Sequence, residues 1–164
     1  PRSGAYITLR AAQYFQAPQT SGYAKSEATL SYAAALTQRI TILTGLKSGW
    51  TLSGAAPQPE QFLLGGPYNM TALAYGELRG TSYRYASGGI RYRVTPQSTL
   101  LGGALHLGVY LESVNARRDD GSHGDYTDLQ IAAILPSRFG PVSAGFALGS
   151  KGTKRLYVNI GRLN

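Results

Sequence analysis

The sequence predicts an all-β fold, and more specifically a transmembrane antiparallel β-barrel with eight strands per chain. Apolar residues alternate with small or polar residues along eight segments, which is the period of a strand with two different faces. Charged residues make up only 15% of the chain, against roughly 25% in a typical soluble domain. The face opposite the apolar one is therefore a poor solvent face and a plausible barrel interior. No segment approaches the roughly 18 apolar residues of a membrane helix.

Composition is that of one domain spanning residues 1–164. The 21 Gly and 12 Tyr suit a sheet with many turns. The chain has no Cys, which excludes disulfides and thiolate metal sites. Its net charge of +8 is spread over single Lys and Arg residues, so no nucleic-acid partner is expected.

The predicted strands are separated by turn and loop signals. They cover residues 5–15, 23–36, 39–52, 86–94, 101–111, 128–135, 142–148 and 156–164. Residues 36–39 predict a tight hairpin, and residues 115–125 a long charged loop. Aromatic residues near predicted strand ends indicate a membrane-interface girdle made of Tyr23, Trp50, Tyr110 and Tyr126.

The stretch 61–94 organises the rest of the chain. Its first part has neither a helical nor a strand period, and its last part alternates. We predict a loop of about residues 53–82 that folds inward and feeds a strand. Gly65 and Gly66 predict a turn with positive φ inside this loop.

The same stretch resembles the barrel of a known superfamily. Residues 62–66 read Phe-Leu-Leu-Gly-Gly, residues 77–80 read Glu-Leu-Arg-Gly, and a tyrosine-rich strand follows. This pattern resembles the surface-antigen superfamily, which includes the BamA-type insertases and the two-partner-secretion transporters. It is most similar to the C-terminal half of the barrel of patatin-like outer-membrane phospholipases. Residues 139–141 and 156–162 resemble the penultimate hairpin and the last strand of that family.

The resemblance implies a bacterial outer-membrane location and the barrel assembly machinery as a partner during biogenesis. It also implies two groups of functional residues. The inward-loop motif would be Phe62, Gly65, Gly66, Tyr75, Glu77, Arg79 and Gly80, and the C-terminal assembly strand would include Tyr157, Gly161 and Arg162.

Three features differ from the family. The Arg-Gly-Tyr/Phe tip of the insertase loop is replaced here by Leu73-Ala-Tyr75, and Asn164 stands where the family ends in Phe. The Gly-x-Ser-x-Gly elbow of a patatin domain is missing, so we expect no enzyme activity. No catalytic, metal or cofactor residues are predicted.

The sharpest candidate pair is Glu77 and Arg79. They would anchor the loop against lumen charges supplied by Arg84, Arg91 or Arg93, or would form an ion pair worth roughly 0–1 kcal/mol if exposed. His106 and His123 lack converging partners and are interpreted as ordinary histidines. Four acids do not match a calcium loop and are interpreted as a solvated loop: Asp119, Asp120, Asp125 and Asp128.

Two closures satisfy the sheet edges in lipid. The eight strands close on themselves, or two chains pair into one sixteen-stranded barrel, which leaves room for the inward loop. The expected partners are membrane lipid and a second copy, and the expected role is a pore, a scaffold or an assembly factor. The alternatives are a fragment of a longer patatin-like phospholipase and a soluble lipocalin-like ligand-binding barrel.

Overall fold

One antiparallel sheet dominates the molecule and confirms the all-β prediction. The computed structural model describes residues 3–14, 22–54, 56–96, 103–137 and 140–161. Eight long strands pair in the order β1-β2-β3-β6-β7-β8-β9-β10, each antiparallel to its neighbours. They are β1 (Gly4–Tyr14), β2 (Tyr23–Ala35), β3 (Ile40–Ser53), β6 (Ser82–Arg93), β7 (His106–Arg117), β8 (His123–Ser137), β9 (Gly140–Gly149) and β10 (Lys154–Ile160).

Two short strands and one helical turn lie outside this sheet. Strands β4 (Phe62–Leu64) and β5 (Leu78–Gly80) pair with each other within the long connection between β3 and β6. A 3₁₀ turn covers Gln58–Glu60. In the described part of the chain, no helix is long and apolar enough to cross a membrane.

Strand boundaries differ from the prediction mainly where polar residues pair across strands. The predicted charged loop 115–125 shrinks to residues 118–122, because β7 and β8 continue through it. Asn115 faces Asp125 in that register, and its Nδ2 donates to Oδ1 of Asp125 at 2.6 Å. Strand β6 begins at Ser82 rather than at residue 86. The predicted hairpin at residues 36–39 is confirmed, and the predicted start of the fifth strand at residue 101 lies outside the described residues.

The sheet is open, so the described residues of a single chain do not form the predicted closed barrel. Strands β1 and β10 occupy its two edges, and they are not paired with each other. The long connection lies against one face and fills space that a self-closed eight-stranded barrel would need for its own side chains. This arrangement argues against closure of eight strands on themselves.

One face of the sheet exposes large apolar side chains, and the other face is largely buried. Along β7, Leu107, Val109 and Leu111 are exposed, whereas the alternate residues Tyr110 and Glu112 are buried. The same alternation runs through the register of the neighbouring strands. We call the exposed apolar side the outer face and the opposite side the inner face. The hydrophobic core lies between the inner face and the long connection.

The two ends of the sheet carry different connections. At the turn end, β2 ends and β3 begins across residues 36–39, and β6 and β8 also end there. The loop end holds the described residues of 54–81, together with 118–122 and 150–153. The long connection therefore enters the inner face from the loop end.

The predicted aromatic girdle is wrong for three of its four residues. Tyr23 and Tyr110 are buried, and Tyr126 packs against the core. Only Trp50 lies on the outer face, where it is 40% exposed. Period-two alternation reverses with a single position, so closeness to a strand end does not determine which face a tyrosine occupies.

Candidate functional site

The connection of residues 54–81, here called the inward loop, covers part of the inner face. Its apolar residues Leu64, Met70, Leu73 and Leu78 are all buried. They form one cluster with inner-face residues of the sheet, namely Tyr83, Tyr85, Val114 and Ala116. The predicted inward fold of about residues 53–82 is therefore present in the structure. Because an apolar core holds the loop, it is a fixed element of the inner face.

A glycine pair makes the first sharp turn of the loop. Gly65 has φ 122° and Gly66 has φ 97°, values that favour glycine. A Cβ on Gly65 would overlap the carbonyl oxygen of Ala74. The turn is closed by the amide of Gly65, which donates to Asn69 O at 2.8 Å, and by the amide of Gly66, which donates to Leu73 O at 3.0 Å. The predicted positive φ at both positions is confirmed.

Three strands bind the backbone of three consecutive loop residues. The amide of Thr71 donates to Oε2 of Glu112 on β7 at 2.8 Å. The amide of Ala72 donates to Oδ2 of Asp128 on β8 at 2.8 Å. We call Glu112, Asp128 and Arg155 the backbone clamp.

Arg155 of β10 is the third residue of the clamp, and it carries the opposite charge to the other two. Its Nη1 donates to the carbonyl oxygen of Leu73. Glu112 and Asp128 are 2% and 1% exposed, so these charge-assisted bonds form away from solvent. All three bonds from the clamp to the loop go to backbone atoms, so they place no demand on the side chains of residues 71–73.

Glu112 joins the loop to a tyrosine of the neighbouring strand. The Tyr85 hydroxyl donates to Oε1 of Glu112 at 2.5 Å, and it also contacts Tyr68 O at 3.3 Å. Lys47 places its Nζ 5.1 Å from the centre of the Tyr85 ring and 3.5 Å from Oδ1 of Asn69. Both oxygens of Glu112 thus accept hydrogen bonds, one from the loop and one from the sheet.

Tyr68 inserts its ring between two other tyrosines. Its ring is edge-on to Tyr110 at 5.7 Å and to Tyr157 at 6.5 Å between centroids. Tyr68 itself has φ 60°, an uncommon value for a residue with a side chain. Burial raises the pKa of the Tyr68 hydroxyl. The ring contacts compensate for a strained backbone at this position.

The predicted loop motif contains residues that pack against the sheet and three whose side chains are exposed, namely Tyr75, Glu77 and Arg79. Phe62 packs edge-on against Tyr83 at 5.2 Å between ring centres. Gly80 is buried, and a Cβ there would lie 2.8 Å from Arg117 O. Tyr75 is 80% exposed, so it does not contact the sheet as the resemblance implied. Buried Thr71, Ala72 and Leu73 make that contact instead.

Glu77 and Arg79 interact within the loop. The carboxylate of Glu77 accepts the amide of Ala74 at 2.6 Å and so caps its own turn. Arg79 donates from Nη1 to Gln58 O at 3.2 Å, and both side chains are exposed. The structure does not bring them to Arg84, Arg91 or Arg93.

The three predicted lumen arginines fall on different faces. Arg91 and Arg93 lie on the inner face, and Nε of Arg91 contacts the Tyr110 hydroxyl at 3.2 Å. Arg84 is one position out of phase with them, so it is exposed on the outer face opposite Asn115. Its prediction as a lumen residue is wrong because the strand begins before residue 86 and fixes this alternation.

The residues of the predicted assembly strand lie at the edge of the sheet. Tyr157 points to the inner face, is 8% exposed and packs with Tyr110. Gly161 has φ 115°, and its amide donates to Pro141 O at 3.1 Å. Arg162 lies outside the described residues.

The clamp residues were not singled out from the sequence. The interpretation of Asp128 as a solvated loop acid is wrong, because it is buried on the inner face of β8, the strand predicted to begin at this residue. Glu112 is the only acidic residue of β7 and directly follows its apolar stretch from Leu107 to Leu111, and that position is the signal that could have identified it. Arg155 carried no such signal.

Part of the inner face is not covered by the loop and forms an open cavity of about 860 Å³. It is bordered by the β1, β2 and β3 side of the sheet and by Tyr68, Tyr85 and Tyr110. Its charged lining residues are Arg10, Glu27, Lys47, Arg91 and Glu112. In the described part of the chain, no group of three or more metal-ligating side chains comes together. The chemistry available here is that of a polar, tyrosine-rich wall.

Comparison with known proteins does not assign this chain to a family. No protein-family model matches it, and no curated protein shows significant similarity to it. A function for this chain therefore has to follow from the sheet, the inward loop and the clamp.

Proposed function

We propose that this chain forms the wall of a bacterial outer-membrane β-barrel, with its outer face in lipid and its inward loop narrowing the lumen. It would be a minimal relative of the surface-antigen superfamily barrels and would serve as a pore or scaffold. The observation that carries the proposal is the exposed apolar outer face. Polar and charged side chains point to the inner face, and large apolar side chains remain exposed outside.

The distribution of outer-face charge supports this placement. Along the described strands, every charged outer-face residue lies at the loop end: Arg84, Arg117, Asp125 and Lys154. The middle and the turn end carry none. Tyr32 and Tyr92 lie toward the turn end and Trp50 toward the loop end, and all three are exposed. Aromatic residues at both limits of an uncharged belt are typical of a membrane span.

Strand length is also sufficient. A tilted transmembrane strand needs about 9–11 residues. Among the eight long strands, the seven from β1 to β9 have 10 to 15 residues. Only β10 is shorter, with 7 residues as far as Ile160.

The open edges require further strands in lipid, because each unsatisfied backbone group there costs several kcal/mol. We propose that a second copy supplies them, with β1 of each chain beside β10 of the other. The result is a sixteen-stranded barrel with two-fold symmetry. The alternative source is a longer polypeptide of which this chain is the C-terminal half of the barrel.

Cross-linking tests the dimer directly. The chain has no Cys, so Thr8→Cys on β1 and Asn159→Cys on β10 provide the only thiols. Both positions face inward at the edges. A flexible thiol cross-linker should give a dimer with the double variant, and Thr8→Cys alone should give much less. A dimer that is present on unheated gels and dissociates on heating would support the proposed two-chain barrel. A chain that is monomeric in detergent would contradict the dimer.

The lumen should favour anions. Lys and Arg outnumber Asp and Glu at inner-face positions of the described strands, which carry Arg10, Lys25, Glu27, Lys47, Arg91, Arg93, Glu112, Asp128 and Arg155. Fixed cationic charge raises the local anion concentration. In a planar bilayer under a salt gradient, the reversal potential should show anion selectivity, and Arg91→Glu should reduce it. Cation-selective current through the unmodified protein would contradict this proposal.

The soluble lipocalin-like alternative has a simple test. A soluble barrel would keep its exposed apolar residues off the surface, which is the opposite of what the outer face shows. If the chain stays monodisperse in the aqueous fraction without detergent, the membrane proposal fails.

A further inference from the structure

The outer face of the sheet contains a groove between its exposed apolar side chains. It has a volume of about 530 Å³ and crosses from β1 to β7. That volume lies within the roughly 300–1,000 Å³ range of small-molecule sites. Small residues form its floor, among them Ala28, Ala86 and Ser113, and Leu30 and Leu46 line it as well.

The register explains why the groove forms here. Leu30, Leu46, Ala86 and Ser113 lie in one transverse row of paired residues, so bulky side chains give way to small ones along it. Within the groove, the outer-face residue of β6 that follows Arg84 is the small Ala86.

A cation stands at the loop-end side of this groove. Arg84 lines the groove, and its cross-strand neighbours are Ser48 and Asn115. Arg84 makes no hydrogen bond or ion pair with any residue that the structure describes, unlike Arg91 and Arg155 of the inner face. The nearest outer-face acid in the same row is Asp125, two strands away at about 10 Å. Its Oδ1 already accepts the amide of Asn115.

We propose that the groove binds an anionic phospholipid, with one acyl chain over Ala86 and Leu46 and the phosphate on the Arg84 guanidinium. This inference rests on the proposed placement of the outer face in a membrane. The guanidinium supplies several N–H donors in a fork that matches phosphate oxygens, and Asn115 adds a neighbouring polar group. The apolar groove below it supplies the complementary surface for hydrocarbon. Arg84 lies at the end of the uncharged belt, which is the level of lipid headgroups.

Lipid retention measured by native mass spectrometry tests the site. The full chain is purified in detergent and mixed with equal amounts of phosphatidylglycerol and phosphatidylcholine. The unmodified protein should retain phosphatidylglycerol about fivefold better, the effect of one basic residue near a membrane surface. Arg84→Gln should abolish this preference. Ala86→Phe, which fills the groove and keeps the arginine, should reduce retention of both lipids.

Arg93→Gln is the matched control, because it removes the same charge from the inner face of the same strand. If Arg84→Gln retains phosphatidylglycerol as well as the unmodified protein, or if Arg93→Gln loses the same amount, the lipid site is refuted. An alkaline wash of vesicles that contain the protein distinguishes failure of the lipid site from failure of the proposed membrane placement. Unmodified protein that washes off refutes membrane placement and the site with it. Protein that stays with the vesicles but shows no lipid preference refutes the site alone.

Discussion

Replacing Glu112 by Leu should loosen the inward loop and leave the sheet intact. The two oxygens of Glu112 accept from the amide of Thr71 at 2.8 Å and from the hydroxyl of Tyr85 at 2.5 Å. A leucine side chain has no acceptor, whereas a glutamine could still accept the Thr71 amide and donate to the Tyr85 oxygen. In Glu112→Leu the Thr71 amide therefore loses its partner in a buried site.

The size of the effect follows from the lost bond. A hydrogen bond to a charged group contributes about 1.5–3 kcal/mol. Opening of the loop around Thr71 should become more favourable by that amount, since Glu112 is the acceptor of its amide. At 1.4 kcal/mol for each factor of ten, amide exchange there should accelerate by roughly 10- to 100-fold.

Hydrogen exchange followed by mass spectrometry on peptides covering residues 66–78 measures this directly in detergent. Peptides from β8 and β9 should exchange as before. Glu77→Leu is the matched control, because the Glu77 carboxylate accepts one loop amide, that of Ala74, in an exposed turn. It should alter exchange by a few-fold at most. If Glu112→Leu leaves the exchange of the loop peptide unchanged while the sheet remains folded, the clamp does not hold the loop.

Three further predictions concern the same loop. Gly65→Ala should destabilise the protein by more than about 1–3 kcal/mol, because a strained φ is joined by overlap with Ala74 O. Gly161→Ala has a similar φ in open space and should cost less. Urea midpoints in detergent compare the two variants, and equal losses would contradict the packing argument. Arg155→Gln should lower the thermal midpoint because Leu73 O loses its charged donor. Arg79→Gln, at an exposed arginine that also donates to a backbone carbonyl, should leave the midpoint unchanged. Equal midpoints for the two variants would show that Arg155 does not belong to the clamp. Burial disfavours the phenolate of Tyr68 and raises its folded pKa, so its contribution to stability is complete below the unfolded pKa of about 10 and declines as the pH rises above it. Tyr68 should therefore add nothing to the phenolate absorbance that appears near pH 10. Spectrophotometric titration of Tyr68→Phe should match that of the unmodified protein at this pH, and a smaller absorbance change in the variant would show that Tyr68 is exposed to water.

Much of the architecture could be predicted because period two is strong in this sequence. The alternation of Ile7 and Leu9, or of Val109 and Leu111, gives both the strand and the apolar face. The turn of Gly65 and Gly66 was predictable from glycine chemistry alone. These features depend on local sequence, which a single chain displays directly.

The clamp and the face of Arg84 depend on pairing between distant segments. Glu112 and Thr71 are 41 residues apart, and Ala72 and Asp128 are 56 apart. The loop amides that they bind carry no side-chain signature. Arg84 was misplaced because a strand start that is wrong by four residues leaves the alternation of those residues undefined. Long-range register is the information that local periodicity lacks.

The exposed segment after the clamp lies between two fixed points. The clamp holds residues 71–73, and β5 pairs with β4 from Leu78 onward. The intervening residues, from Ala74 to Glu77, include Tyr75, the most exposed of the loop aromatics. Neither the clamp nor the β4–β5 pairing contacts the side chains of this segment. Within the segment, the Glu77 carboxylate caps the turn. Protein engineers could therefore graft a short recognition peptide between Tyr75 and Gly76 and obtain a display scaffold whose insert is presented at a constant position.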